Sequence, residues 1–424
     1  MFLFFIRHFN DIDHMSPVVW RMHQEHYLVA VYCMNPDYDI RADYRLNFLK
    51  DCGIKVDYIY GEYYQGLGML YWLLRFLFIK LNAFNRSSLS SGVSESYKVI
   101  SMVSKLTKKI CKRLYNFIQK NYYDVNWAKN FIKMTNAKVL CFDWINTNKF
   151  VVDPLLIAAK EYSIPTISLP HGVFLYTNKD IKIGATQEMR FEKFKRFDQI
   201  VVQNPLRKEV IARSGVPRNQ LVVLGSARYC DEWMDQNQKI LPRKMVAKNN
   251  ADKKLNIVLM TTRPIYRINV DRMIKTFDIL SDIDGLEVVI KPHTRTGGEA
   301  YMYQNANLSE VSDLSSVELC EWADVVLVIA SSIIIEALKK GKPALYLKYL
   351  HENTVEYEEF NACWTINSEK ELRSALSSLY ENRYKLPYTE EDVNRWLAEI
   401  IYGGQERRDI LNDYEQFIVN CSAI

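Results

Sequence analysis

Short runs of β-branched and aromatic residues alternate with helix-length stretches along most of this chain, and that alternation restricts its fold more than any other feature. Repeated strand–helix–strand units build parallel sheets covered by helices. The runs fall at 2–6, 27–32, 56–60, 138–142, 166–169, 199–202 and 221–224, and again at 256–260, 287–290, 324–329 and 344–347. Between the two sets lies a polar, charged stretch at 229–254 with Pro242 and the run 248–254, which has the composition of a linker. A chain of 424 residues is also past the size at which one core keeps growing. Two α/β domains are therefore expected. The first is 1–228, with a helical insert at about 62–134, and the second is 255–400 after the 229–254 linker. Residues 401–424 read as a helix crossing back to the first domain.

Several classes drop out early. The apolar start, Met1 to Ile6, ends at Arg7 and His8 before a secretory core could form. Eight scattered cysteines include no CxxC pair, so neither a zinc knuckle nor a disulfide framework is suggested and a cytoplasmic location is expected. A net charge of +5 is too small to imply nucleic acid. Gly66-Leu-Gly68 starts like a dinucleotide fingerprint, but Tyr71 stands where the third glycine belongs. There is no GxxxxGK[ST], HExxH or GxSxG. The charge is nevertheless uneven, with seven basic residues and no acidic one between Lys98 and Lys120. Val99, Val103, Leu106, Ile110, Leu114 and Phe117 recur there at helical spacing. A helix with one apolar and one cationic face suits an anionic membrane surface, in competition with plain core packing. The apolar stretch 67–84 is broken by Arg75 and Lys80, too soon for a spanning helix.

In open parallel sheets ligands gather at the carboxyl ends of the strands, and that filter selects few residues. In the first half it picks Asp143, then His171 with Gly172, then Ser226 and Arg228. Gly172 permits close backbone approach. In the second half it picks Thr262 and Arg263, then Lys291, His293 and Arg295, then Ser331 and Ser332. A phosphate-bearing ligand explains the second set. Ser331 and Ser332 precede an expected helix at 333–340, whose first N–H groups attract an anion, although the pair could simply cap that helix. Lys291, Arg295 and Arg263 would supply countercharge, and Glu336 would accept from a ribose. Sugar chemistry needs a carboxylate or histidine near the anomeric carbon. Asp143, His171 and His14 are the candidates, His14 lying in the segment Arg7-His8-Phe-Asn-Asp11-Ile-Asp13-His14 after the first strand.

The order Ser-Leu-Pro-His171-Gly172, then Lys291-Pro292-His293, then Ser331-Ser332 with Glu336-Ala337-Leu338 resembles GT-B glycosyltransferases of bacterial surface-polymer synthesis. The resemblance covers mainly 137–350 and implies two Rossmann-like domains with parallel sheets facing a central cleft. Similarity to teichoic-acid and polysialic-acid polymerases implies that the Lys-Pro-His element and the serine pair hold donor phosphates. Leu224-Gly-Ser-Ala-Arg-Tyr-Cys-Asp-Glu-Trp233 is similar to a segment of bacterial transferases of Kdo, an eight-carbon acidic sugar. That likeness implies a CMP-linked donor and a carboxylate nucleophile at Asp231, with Glu232 adjacent.

The expected activity is thus transfer of a sugar, foremost Kdo from CMP-Kdo by a retaining route through Asp231, from a nucleotide-activated donor onto a lipid-linked or surface glycan of capsule or lipopolysaccharide. Alternatives are a CDP-glycerol, UDP-sugar or GDP-sugar polymer transferase of the same fold, or a sugar-nucleotide epimerase. Asp11-Ile-Asp13 mimics a metal-binding DxD, but the resemblance implies that side chains and helix ends neutralise the phosphates, so neither metal nor cofactor is expected. The expected site of action is the cytoplasm, in peripheral contact with the inner face of the bacterial membrane.

Overall fold

The computed structural model describes residues 1–61, 121–143, 150–173, 175–178, 195–243, 254–293, 308–311, 314–405 and 408–423, with single positions between 70 and 118 and at 183. Phe2–Ile6 (β1), Val29–Cys33 (β2), Lys55–Tyr58 (β3), Val139–Asp143 (β4), Thr166–Leu169 (β5), Gln199–Val202 (β6) and Leu221–Val223 (β7) form one parallel sheet, ordered β3-β2-β1-β4-β5-β6-β7. Leu255–Met260 (β8), Leu286–Lys291 (β9), Ser309–Glu310 (β10), Val325–Val328 (β11), Ala344–Leu347 (β12) and Trp364–Ile366 (β13) form a second, ordered β10-β9-β8-β11-β12-β13. Both sheets follow one rule. Three strands step outward in one direction, and the chain then returns to continue on the other side of the first. The order reverses between β1 and β4 and again between β8 and β11. Helices on both faces leave a crevice at such a point, and ligands enter there.

Burial explains why the strands read so clearly. Every residue of β1 is buried, because a parallel sheet is covered on both sides and its strands are apolar throughout. Phe2, Phe4 and Ile6 join a core layer that also holds Val258, Met260, Trp233, Trp396 and Tyr414. Leu3 and Phe5 face an outer layer with Phe131, Trp127 and Phe142. The inner layer therefore runs continuously through both sheets. The last helices help to build it. Helix Ile410–Cys421 packs on helix Phe9–Gln24, Ser226 N donates to Ile401 O at 2.8 Å, and Tyr414 Oη donates to Gly225 O at 3.0 Å. Gly225, at φ +78°, is where this contact needs a glycine, since a Cβ would stand 2.2 Å from the Ile401 carbonyl oxygen.

Two edge strands, β10 and β13, are two and three residues long, too short to show a period. The insert expected at about 62–134 lies largely outside the described residues. Among the described ones Leu106, Ile110, Leu114 and Phe117 are exposed, whereas Cys111 and Ile118 are buried. No helix among the described residues is long and apolar enough to cross a membrane.

Candidate active site

At the reversal point of the first sheet, β1 leads through Arg7 and His8 into helix Phe9–Gln24, and β4 ends on Asp143 itself. The helix has no side-chain cap at His8. Instead Asp11, in its first turn, reaches back to accept from Arg7 N at 2.7 Å. The Arg7 guanidinium spans two buried carboxylates, donating from Nε to Asp11 Oδ2 at 3.2 Å and from Nη2 to Asp143 Oδ2. From the end of β5, His171 brings Nδ1 to 2.8 Å from Asp11 Oδ1 and 2.9 Å from Asp143 Oδ2. Arg7 Nη2 lies 3.4 Å from that same nitrogen. Three strand ends thus meet in one cluster. Both carboxylates are fully buried and His171 is 23 % exposed.

Burial alone would push both carboxyls up, and what opposes it differs between them. At Asp11 burial is outweighed by Arg7, the His171 hydrogen bond and nearby His8, so its pKa is lowered and it is ionised. Asp143 is pushed up by burial and by the Asp11 charge, against Arg7 and His171. Burial pulls His171 down, but its hydrogen bonds to Asp11 and Asp143 win and raise it. A carboxyl shifted down, a carboxyl shifted up and an imidazole shifted up, all within hydrogen-bond reach of one another, make a set fit for acid–base work. His171 Nδ1 is committed to the two carboxylates.

A second cluster adjoins the first. Arg45 is held by Asp43 at 2.6 Å and by Asp13, and Arg228 meets Asp13 at 2.8 Å. His14 is buried, and its Nε2 has no hydrogen-bond partner. Burial, then the charges of Arg228 and His171, push its pKa well down, so it is a neutral imidazole. The buried Ser226 Oγ is likewise unpartnered. Arg228 also feels Glu336 of the second domain, and Tyr229 Oη donates to Ser332 O at 3.1 Å. This carries the site across to the second sheet.

There, β8 runs into Thr261, Thr262 and Arg263, and β11 into Ala330, Ser331 and Ser332. Ala330 takes φ +48°, a strained left-handed conformation for a residue with a Cβ. The serines do not cap the following helix, which is Ile334–Lys339 with Ile333 at its uncapped N-terminus. Ser331 O and Ser332 O lead into its first turn, accepting from Ile334 N at 3.3 Å and Ile335 N at 3.2 Å. Lys291 is buried and closes β9; Met260 pairs with both Lys291 and Val328, so the β9 and β11 ends stand roughly 10 Å apart across β8. His293 and Arg263 are half-buried, and Thr262 is buried. Arg295 lies outside the described residues. Glu336 is buried and pairs with Lys340 at 3.0 Å.

Asp231 is not with these groups. Its side chain is 71 % exposed, paired with Lys339 and accepting from Tyr402 Oη at 3.0 Å. Lys339 ends the helix that Ser331 and Ser332 precede, so Asp231 sits roughly 10 Å of helix away from them. It lines a cavity of about 1520 Å³ with Tyr402, Arg408 and Asp409. Glu232, adjacent, faces Arg21. Arg7 and Asp11 are the residues that strand-end reading passed over, although it had marked their segment.

Across the full chain, the structure is similar to UDP-GlcNAc 2-epimerase from Methanocaldococcus jannaschii, solved with UDP-GlcNAc and UDP, at TM-score 0.55 and 12% identity over 100% of both chains. The GT-B fold is what this chain has. Other GT-B neighbours include Anabaena HepE with UDP-glucose, at TM-score 0.52 and 11% identity over 100% of this chain and 99% of that one. The glycosyltransferase of kitacinnamycin matches at TM-score 0.51 and 11% identity over 98% and 97%. No protein-family model and no curated protein matches the sequence. In the GT-B frame the two clusters lie at the cleft-side ends of the first sheet. Among the described residues His8, Asp11 and His171 place ligand atoms within 4.8 Å of one another. Arg7 already occupies the Asp11 carboxylate, so a metal ion there would meet a fixed cation. The donor set fits an ion-paired acid–base site better than a metal.

Proposed function

We propose that this protein processes a nucleotide-activated sugar in the cleft between its sheets, with the His171 imidazole exchanging protons with the sugar and the buried Asp11 and Asp143 setting its protonation. The carrying observation is the buried Arg7–Asp11–Asp143–His171 cluster, whose carboxyls are shifted in opposite directions. Ser331, Ser332, Lys291, His293 and Arg263 would hold the phosphates, Glu336 the ribose, and Thr262 and Gly172 would border them. Arg295 joins that set by its place in the sequence. Ser226, His14 and Arg228 would contact the sugar.

Epimerisation is the first reading. It needs the proton taken from the sugar C2 as the C1–O bond to the diphosphate breaks, and the reverse on the other face, which proton-exchanging groups on one sheet and an anion site on the other would serve, and several full-length neighbours are UDP-GlcNAc 2-epimerases. Transfer to a glycan acceptor is the second reading, favoured by the Gly225–Arg228 segment, where Arg228 stands between Asp13 and Glu336. A retaining route through Asp231 is not favoured, given its pairing with Lys339.

Thermal unfolding with UDP, CMP, CDP and GDP tests the common part: a nucleotide at 100 times its Kd should stabilise by about 2.7 kcal/mol. UDP is expected to do so; CMP alone would restore the Kdo reading, CDP alone the polyol-phosphate one. Incubation with UDP-GlcNAc in D2O then separates the two courses. Deuterium entering the sugar without acceptor supports epimerisation, and strict dependence on an added glycan supports transfer. No response to any nucleotide would remove the proposal.

We also propose peripheral contact with an anionic membrane through the exposed face Leu106, Ile110, Leu114 and Phe117, flanked by exposed Lys109 and Arg113. Each cation near such a surface contributes about 1 kcal/mol. The protein is expected to float with phosphatidylglycerol vesicles at low salt and not with phosphatidylcholine ones. Recovery only in the pellet fraction in both cases would remove this contact.

A further inference from the structure

His171 is tied by a short strap of chain to the other domain. Leu175, four residues on, accepts from Glu356 N at 2.9 Å, and Tyr176 bridges antiparallel to Val355. Thr177 N donates to Thr354 O at 3.1 Å, and the two threonine hydroxyls meet at 2.7 Å. Asn178 Nδ2 donates to Asn353 Oδ1 at 2.9 Å. The Tyr176 ring stacks on Tyr266 of the second domain with centroids 5.8 Å apart.

A buried ion pair fastens this strap from the first domain. Arg207, on helix Pro205–Arg213, meets Glu356 at 3.1 Å with both side chains 2 % exposed. The same Nη2 reaches the Tyr176 carbonyl at 3.4 Å. Four residues span at most roughly 14 Å, which bounds how far Leu175 can move before it draws on His171. Next to His171, Gly172 takes φ +153° and its carbonyl is held by Gln203 Nε2 at 2.8 Å.

We propose that Arg207 and Glu356 are positioning residues that, through the strap at 175–178, couple the placement of the second domain to the His171 imidazole. The proposal rests on the acid–base reading of His171, but the coupling itself does not need turnover to be seen. Glu356 Oε2 has no hydrogen-bond partner. Burial first, with Glu399 and Glu359 adding to it against Arg207, pushes its pKa up to about 7. The charge that Arg207 faces therefore changes in the neutral range.

The test follows the imidazole directly. The His171 resonance is identified in 15N-histidine spectra of the full chain by its loss in His171→Asn, then titrated in wild type, Glu356→Gln and Thr177→Val. The expected result is a midpoint moved by about half a pH unit or more in both variants. If turnover has been established, kcat should fall roughly 10-fold with KM for the sugar nucleotide unchanged, as displacement of a catalytic group predicts, and Glu356→Asp should recover part of it. An unmoved midpoint in Thr177→Val and Glu356→Gln, with only the unfolding temperature lowered, would overturn the proposal. Should Glu356→Gln fail to fold, Thr177→Val alone decides, because it removes a hydroxyl contact without stranding a buried charge. Failure of the sugar-nucleotide reading leaves the titration intact, so the two failures are told apart.

Discussion

Replacing His171 with asparagine is expected to lower turnover of the sugar nucleotide by about 10²- to 10⁴-fold, the usual contribution of a positioned acid–base group. Asparagine keeps a polar group near Asp11 and Asp143 but cannot exchange a proton. Nucleotide binding should change little, because the groups proposed for the phosphates lie on the other sheet. The pH profile adds a second reading. His171 has a raised pKa, so its imidazolium is present below that value and is lost as pH rises through it; the alkaline limb of the wild-type rate should disappear in the variant. Any stability its protonation contributes follows the same direction, full at pH below the unfolded pKa and lost above the folded one. A variant turning over within threefold of wild type would remove His171 from the chemistry.

The second large effect concerns folding. Arg7→Met leaves Asp11 and Asp143 buried with only the imidazoles of His171 and His8 beside them, and breaking a buried pair in this way costs about 3–5 kcal/mol. Urea unfolding of the full chain reads it. Adding Asp143→Asn removes one of the stranded acids, so the double variant should recover part of the loss rather than sum the two. The sign of the pH dependence is fixed by Asp11. Its folded pKa is depressed, so its contribution is present above the unfolded carboxylate value of about 3.9 and is lost as pH falls. Wild type and Arg7→Met should therefore converge in stability toward acid pH. Equal stability at pH 7 would show that Arg7 does not hold the cluster together.

Much of this fold could be read from the residues because parallel strands covered on both faces are apolar along their whole length. β1, β5, β6 and β12 fall at the expected positions. β10 and β13, with two and three residues, are fixed by their neighbours in the sheet and carry no local signal. At the site, Asp143 and His171 were visible because they end strands. Arg7 also follows a strand, but its partners Asp143 and His171 are 136 and 164 residues away, so no local pattern shows what it neutralises. The choice of Asp231 rested on a short likeness around Gly225–Trp233, which could not register that Lys339 and Tyr402 would claim its carboxylate. Arg207 and Glu356, 149 residues apart, are an ordinary helical arginine and one glutamate among several until tertiary structure pairs them.

Helix Ile410–Cys421 lies against helix Phe9–Gln24, which carries Asp11, Asp13 and His14. During synthesis the amino-terminal helix leaves the ribosome long before its buttress exists. Chains that terminate early would present these ionisable groups on an incompletely supported helix. The helix bearing Asp11, Asp13 and His14 is therefore braced once residues 410–421 have been made and have folded onto it.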